Sequence, residues 1–156
     1  MIRRMLERVS YRLRVRVIRN RDGVTPYLSR FYLLGGPRKG RWSRWPFNMM
    51  LHKFHTGDDA GELHNHPWQW AVSLILAGGY WEDVRLPDDT IVRREVRPLQ
   101  LNLITSRTFH RVDLREQDCW TLFITGPKAD DEGSWGFWSP VMGYLPWQEF
   151  IARRRS

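Results

Sequence analysis

The 156-residue chain has a single cysteine, Cys119. No internal disulfide can form, so packing alone must hold the fold, and a reducing cytoplasm is the expected location. Nothing near Cys119 marks an activated thiolate, and it reads as a small buried hydrophobe. Long apolar runs are also lacking. The longest, Ala71 to Trp81, is broken by Gly78-Gly79 and reaches about half the length that a bilayer demands. No membrane association is therefore expected. The first residues have neither the apolar segment nor the small-residue cleavage site of a secretory signal. The loop Gly35-Gly36-Pro37-Arg38-Lys39-Gly40 lacks the Gly-Lys-Ser/Thr ending of a phosphate-binding loop and reads as a turn. No serine or cysteine sits in an activating motif, which argues against nucleophilic catalysis.

Acidic residues are scarce only at the ends. Residues 1–21 hold eight arginines against one glutamate, Arg153, Arg154 and Arg155 close the chain, and residues 22–152 are left with a net charge of −2. The overall +8 therefore belongs to the termini. Such ends suit phosphates, and a nucleic acid is a candidate partner there. The plainer reading is a solvated strand face and a frayed C-terminus.

Aromatic residues are abundant: 9 Trp, 7 Phe and 5 Tyr. Ile2, Met5, Leu6 and Val9 fall at helical spacing and predict a short N-terminal helix. From Tyr11 the period becomes two. Tyr11, Leu13, Val15 and Val17 alternate with Arg12, Arg14 and Arg16, which predicts a half-buried strand with a basic outer face. Further strands are expected at about Arg30–Leu34, Phe47–His55, Leu63–His66, Gln69–Ala77, Tyr80–Leu86, Thr90–Val96, Leu99–Ile104, Phe109–Leu114 and Cys119–Thr125. Turn residues lie between them, and Pro146 opens a short terminal helix. Regular short strands predict an antiparallel sandwich or barrel, all-β apart from short helical segments at each end. One domain spanning residues 1–156 is expected, with the barrel core at about 27–126. Trp120, Trp135, Trp138 and Trp147 are expected to fill the core and plug the open end of the barrel.

Three histidines carry the functional signal. His64 and His66 are two apart, so on an extended strand both rings face the same way. His110 shares its face with Val112 and Leu114 on a second strand. Imidazoles from two strands can converge on one metal ion and leave positions open for substrate. Glu62 has the same parity as His64 and His66 and is a candidate fourth ligand or general base, although a solvated strand start explains it as well. His52 and His55 lie nearby; His52, in parity with Met50 and Phe54, is the better inward candidate.

These residues resemble the cupin superfamily, small jelly-roll barrels (double-stranded β-helices) that commonly hold a metal. The first cupin motif is Gly-x5-His-x-His-x3,4-Glu-x6-Gly. His64-Asn65-His66 matches its histidine pair and Gly78 its closing glycine. Its glutamate slot falls on Trp70 or Ala71, neither of which binds metal, and its opening glycine slot falls on Asp58 beside Gly57. In the second motif, Gly-x5-Pro-x-Gly-x2-His-x3-Asn, His110 fits the histidine. Thr105, Arg107 and Leu114 take the proline, second glycine and asparagine slots. The resemblance covers roughly Leu51 to Gly126.

The resemblance implies a three-histidine site of His64, His66 and His110, like those of thiol dioxygenases and diketone-cleaving cupins. Such a site implies a divalent metal, Fe(II) first, with Zn(II), Mn(II) or Ni(II) as alternatives. With Fe(II) the expected activity is a non-haem dioxygenase acting on a small anionic, metal-chelating molecule. Candidate pocket residues are His52, His55, Trp70, Tyr80 and Arg107, the last as a clamp for a substrate carboxylate. Trp68 is a further candidate for stacking. The rival readings are a non-catalytic cupin that binds a small ligand or serves a structural role, and a nucleic-acid-associated protein. A homodimer is among the expected partners.

Overall fold

The computed structural model describes residues 1–20, 22–35, 46–58, 61–129 and 135–153. The glycine-rich loop after Gly35, the turn residues Asp59 and Ala60, and Arg154 and Arg155 lie outside the described residues. The chain runs α1 (Ile2–Ser10), β1 (Arg14–Arg19), β2 (Pro26–Leu34), β3 (Asn48–Phe54), β4 (Leu63–His64), β5 (Trp70–Ala77) and β6 (Tyr80–Arg85). It continues through β7 (Ile91–Val96), β8 (Leu101–Thr105), β9 (His110–Leu114), β10 (Cys119–Thr125), β11 (Gly136–Ser139), β12 (Gly143–Pro146) and α2 (Trp147–Arg153).

The strands form two six-stranded antiparallel sheets. Sheet A has the order β1-β2-β3-β10-β5-β8 and sheet B the order β12-β11-β4-β9-β6-β7. Sequence neighbours repeatedly change sheet, as a jelly roll requires. The change from β5 to β6 turns on Gly78 and Gly79, with φ of 79° and 131°. A Cβ on Gly78 would meet the Asp118 carbonyl at 2.3 Å, so the turn needs glycine for both conformation and space. Gly78→Ala is expected to cost about 2–4 kcal/mol. Thermal unfolding checks this; an unchanged midpoint would mean that the turn relaxes freely.

The core lies between the sheets. Ile75, Tyr80, Val96, Val112 and Cys119 form one cluster, and Met50, Ala71, Ile104 and Phe123 form another. Cys119 is fully buried, and burial pushes its thiol up to about 12. A third cluster lies outside sheet A, where Leu6 of α1 packs on Leu51, Ala77 and Trp120. Trp120 thus stacks on Phe31 beneath α1 instead of joining the C-terminal plug. Trp135 does stack on Trp147, and Phe137 on Phe150 of α2. No described helix is long and apolar enough to cross a membrane.

β1 departs from the expected pattern. It starts at Arg14 and not at Tyr11, and its Val15 and Val17 are exposed. Ile18, paired with Leu28, turns towards the interior instead. Alternation shows that a strand has two unlike faces, and the pairing partner decides which face turns inward.

Candidate metal centre

Register alone brings His64 and His110 together. His64 on β4 pairs directly with His110 on β9. β4 stops at His64, so His66 lies just beyond the strand. Buried Asn65 holds that segment in place. Its side-chain oxygen accepts from the Gly136 N–H at 2.7 Å, and its amide donates to the Ser106 carbonyl at 2.7 Å. The ring centroids of His64, His66 and His110 are 4.9 to 5.1 Å apart. One nitrogen from each lies within 4.8 Å of the others.

The residue that orients the centre is Glu82, which sequence reasoning missed. On β6 it stands opposite Val112, two pairs along from Val84 and His110, so it meets His110 diagonally on the inner face. Glu82 is fully buried, and its Oε1 lies 2.5 Å from His110 Nδ1. The same oxygen accepts from Asn102 at 2.8 Å, and Oε2 accepts from Arg94 Nε at 2.7 Å. Burial alone would raise its pKa; the bonds from His110 and Asn102 and the charge of Arg94 hold it below the usual range. A carboxylate here keeps the proton on His110 Nδ1 and leaves the Nε2 lone pair facing inward, the tautomer a metal ligand needs. The available signal was parity: Glu82 shares a face with Tyr80 on a strand whose inner positions are buried.

His66 is held neutral. Burial, reinforced by the neighbouring His64, His110 and Arg30, lowers its pKa well below the ordinary value. Its Nε2 lies 2.9 Å from His110 Nε2. Two nitrogens each about 2.0–2.1 Å from one ion would be about 2.9–3.4 Å apart, so this pair is already at the separation a shared cation sets. His64 Nδ1 is 3.8 Å from Asp58 Oδ2. Asp58 is fixed in turn by Tyr27 Oη at 2.5 Å and the Val112 N–H at 2.6 Å. The donor set is three nitrogens, from a buried His110 and partly buried His64 and His66. It fits a divalent transition metal.

The remaining candidates divide by position. Glu62 sits at the mouth beside Asp58 and His64, outside the three-histidine cluster. His52 and Tyr80 line a cavity of about 440 Å³ that the three histidines also line. His52 stacks on Phe123 at 4.7 Å. Burial and then Arg30 lower its pKa well below normal. Tyr80 is buried and accepts from Asn102 at 3.0 Å. Three expected pocket residues lie elsewhere. His55 bonds Ser29 Oγ at 2.8 Å, away from the cavity lining. Trp70 starts β5 on the outer face, its ring lying against Gly126. Arg107 is exposed in the β8–β9 turn. The strand run that places His52 inward turns His55 out of the cavity, and Trp70 has the parity of the outer residues Val72 and Leu74.

The cavity's cation is instead Arg30 on β2. Its Nε donates to His52 Nε2 at 3.2 Å, and its guanidinium lies 5.9 Å from the Trp68 ring centroid. Trp68 in turn stacks on His66 at 5.6 Å. Burial lowers the Arg30 pKa, partly offset by its bond to Tyr32, and no carboxylate of the described residues is among the groups acting on it.

Known structures share this arrangement of strands. A Rhodospirillum rubrum protein described as a cupin-2 domain superposes with a TM-score of 0.56 at 14% identity, covering 92% of this chain and 82% of its own. An oxalate decarboxylase mutant from Bacillus subtilis gives 0.55 at 10% identity over 81% of this chain. This chain has the cupin fold. A structure of DMSP lyases, at 15% identity, gives 0.53 over 78% of this chain and 59% of that one. The chain spans only 30% of the length of the decarboxylase. No protein-family model matches the sequence, and no curated protein does either. At these identities the cupin likeness describes architecture, and chemistry must be argued from the side chains.

Proposed function

We propose that His64, His66 and His110 hold one divalent metal ion, Fe(II) first, and that the protein is a non-haem oxygenase acting on a small metal-chelating carboxylate. The observation that carries this reading is the three-imidazole cluster at a cavity of about 440 Å³, with His110 oriented by buried Glu82. When bound, Fe(II) supplies the redox capacity to oxidise a chelated anion with dioxygen; Zn(II) in its place would favour hydrolysis. Glu82 keeps the His110 proton on Nδ1 and so keeps Nε2 available.

Arg30 takes the anion-binding role expected of Arg107. It is a partly buried guanidinium without a carboxylate partner among the described residues, which makes it a strong receptor for a substrate carboxylate. Trp68, Phe54 and Phe123 give the substrate body an apolar wall and keep water from the centre. A small oxalate-sized anion would leave most of this volume unfilled. The cavity suits a carboxylate that also carries an apolar or aromatic group.

The test begins with elemental analysis of protein purified without chelator, beside a His64→Ala/His110→Ala variant. Near-stoichiometric iron that the variant loses supports the reading, and oxygen uptake with candidate thiol and aromatic acids then searches for substrate. Zinc would redirect it to hydrolysis or structure. Absence of metal in a folded protein would leave the non-catalytic, ligand-binding alternative. Independently, Arg30→Met is expected to weaken carboxylate binding about 100-fold while metal content stays unchanged. Equal affinity for a carboxylate in the variant and the parent protein would remove Arg30 from the site.

A further inference from the structure

The inner face of sheet A carries a row of basic side chains that leads into the cavity. On the edge strand β1, Arg16 stands directly opposite Arg30 of β2, and Arg30 in turn stands opposite His52 of β3. Cross-strand partners share a face. Arg30 and His52 line the cavity, and so does Ile18, two residues beyond Arg16 on the same strand. Arg16 therefore points the same way. Exposure grades along the row: His52 is buried, Arg30 half-buried and Arg16 exposed. The row runs from solvent at β1 to the buried wall of the cavity.

Like charges directly opposite each other destabilise a sheet, and here no described carboxylate offsets them. Burial and then the charge of Arg16 lower the Arg30 pKa. The partners of Arg30 are a histidine and a tyrosine, His52 and Tyr32. Among the described residues neither Arg16 nor Arg30 is ion-paired, whereas on sheet B Arg93, Arg94 and Arg111 each reach a carboxylate. The carboxylate that does line the cavity, Asp58, is engaged by Tyr27 and the Val112 N–H. Two guanidiniums facing each other without an acid make an anion receptor, since an anion held between them removes the repulsion.

We propose that Arg16 is a specificity-determining residue and that the substrate carries two anionic groups, a carboxylate on Arg30 and a second group on Arg16. This rests on the reading of Arg30 as the carboxylate receptor and adds a second charge to the substrate class. Spacing limits that class. The Cβ atoms of directly opposed residues are about 5 Å apart, so a short chain or a single ring separates the two anionic groups. The Arg30 guanidinium lies 5.9 Å from the Trp68 ring centroid, and that ring gives a flat spacer a surface to stack on. An aromatic dicarboxylate, or an aromatic carboxylate bearing a phosphate, meets these requirements. A simple monocarboxylate leaves Arg16 unused.

NMR titration of the full chain after chelation, so that no ligand can reach a metal, tests this with benzoate, isophthalate and meta-carboxyphenyl phosphate. At least one of the two diacids is expected to bind about 10-fold more tightly than benzoate at low salt, the contribution of one charge-assisted contact. Added salt should narrow that gap, because Arg16 is exposed. The tighter diacid identifies the second group as carboxylate or phosphate. Arg16→Met should abolish the preference while benzoate binding is retained, and Arg107→Met, in an exposed turn, should leave it intact. Equal affinities for benzoate and both diacids in the parent protein would overturn the inference. So would a preference that survives Arg16→Met, or an equal loss of all three ligands in that variant, which marks a purely structural role. If Arg30→Met leaves benzoate binding unchanged, the reading of Arg30 fails and this inference with it. Weaker benzoate binding in Arg30→Met without any diacid preference in the parent sinks the role of Arg16 alone.

Discussion

Glu82→Ala is expected to destabilise the protein by about 3–5 kcal/mol, the cost of removing one partner from a buried charged network. The carboxylate has no contact with solvent, and its loss leaves the His110 Nδ1–H and the Asn102 amide without their acceptor. A fall in the thermal midpoint of about 10 °C or more would follow for a chain of this size. Glu82→Gln separates structure from chemistry. Its amide oxygen can still accept from His110, so the fold should largely survive. Without the negative charge, His110 is a poorer donor, and metal affinity should fall about 10–100-fold. Calorimetric titration of the metal-free protein checks that value. Unchanged stability in the alanine variant would show that the network contributes little.

Acidification is the second large effect. His52 and His66 both have folded pKa values well below their ordinary ones, chiefly through burial. Between the folded and unfolded values the unfolded chain binds more protons than the native one, so stability must fall as pH drops below about 6.5. Two such histidines give a slope of up to about 2.7 kcal/mol per pH unit. Glu82 adds loss in the same direction at lower pH. Its folded pKa is depressed, so its contribution is present above about 4.5 and lost as pH falls through the folded value. Denaturant melts of the metal-free protein from pH 7.5 to 5 measure the slope. His52→Phe, which cannot bind a proton, should reduce it by about half; a flat profile would mean that these rings are wetter than the structure places them.

The architecture was legible in the sequence because period-two alternation and glycine-marked turns are local signals. Gly78-Gly79 marks the β5–β6 turn, and Tyr80, Glu82 and Val84 already alternate with Trp81 and Asp83. The meeting of His64 and His110 was an inference from parity, and direct pairing of β4 with β9 supplies it. What escaped was whatever depends on which strand lies next to which. Glu82 reaches His110 only because β6 and β9 are neighbours, and the two are 28 residues apart in the chain. Arg30 belongs to a strand whose inward face is fixed by its register with β3, where it pairs with His52. Alternation alone turns the valines of β1 inward, whereas a strand at a sheet edge takes its facing from its partner. Trp70 and Arg107 lie close to the ligands in sequence, but pleat and turn direct them outward.

Three imidazoles that share one ion leave a direct spectroscopic signature. X-ray absorption of the iron- or cobalt-loaded protein measures this directly. About three imidazole nitrogens at roughly 2.0–2.2 Å are expected, falling to about two in His64→Ala with the fold intact. A metal bound by oxygen donors alone, or a coordination sphere unchanged by that substitution, would contradict it.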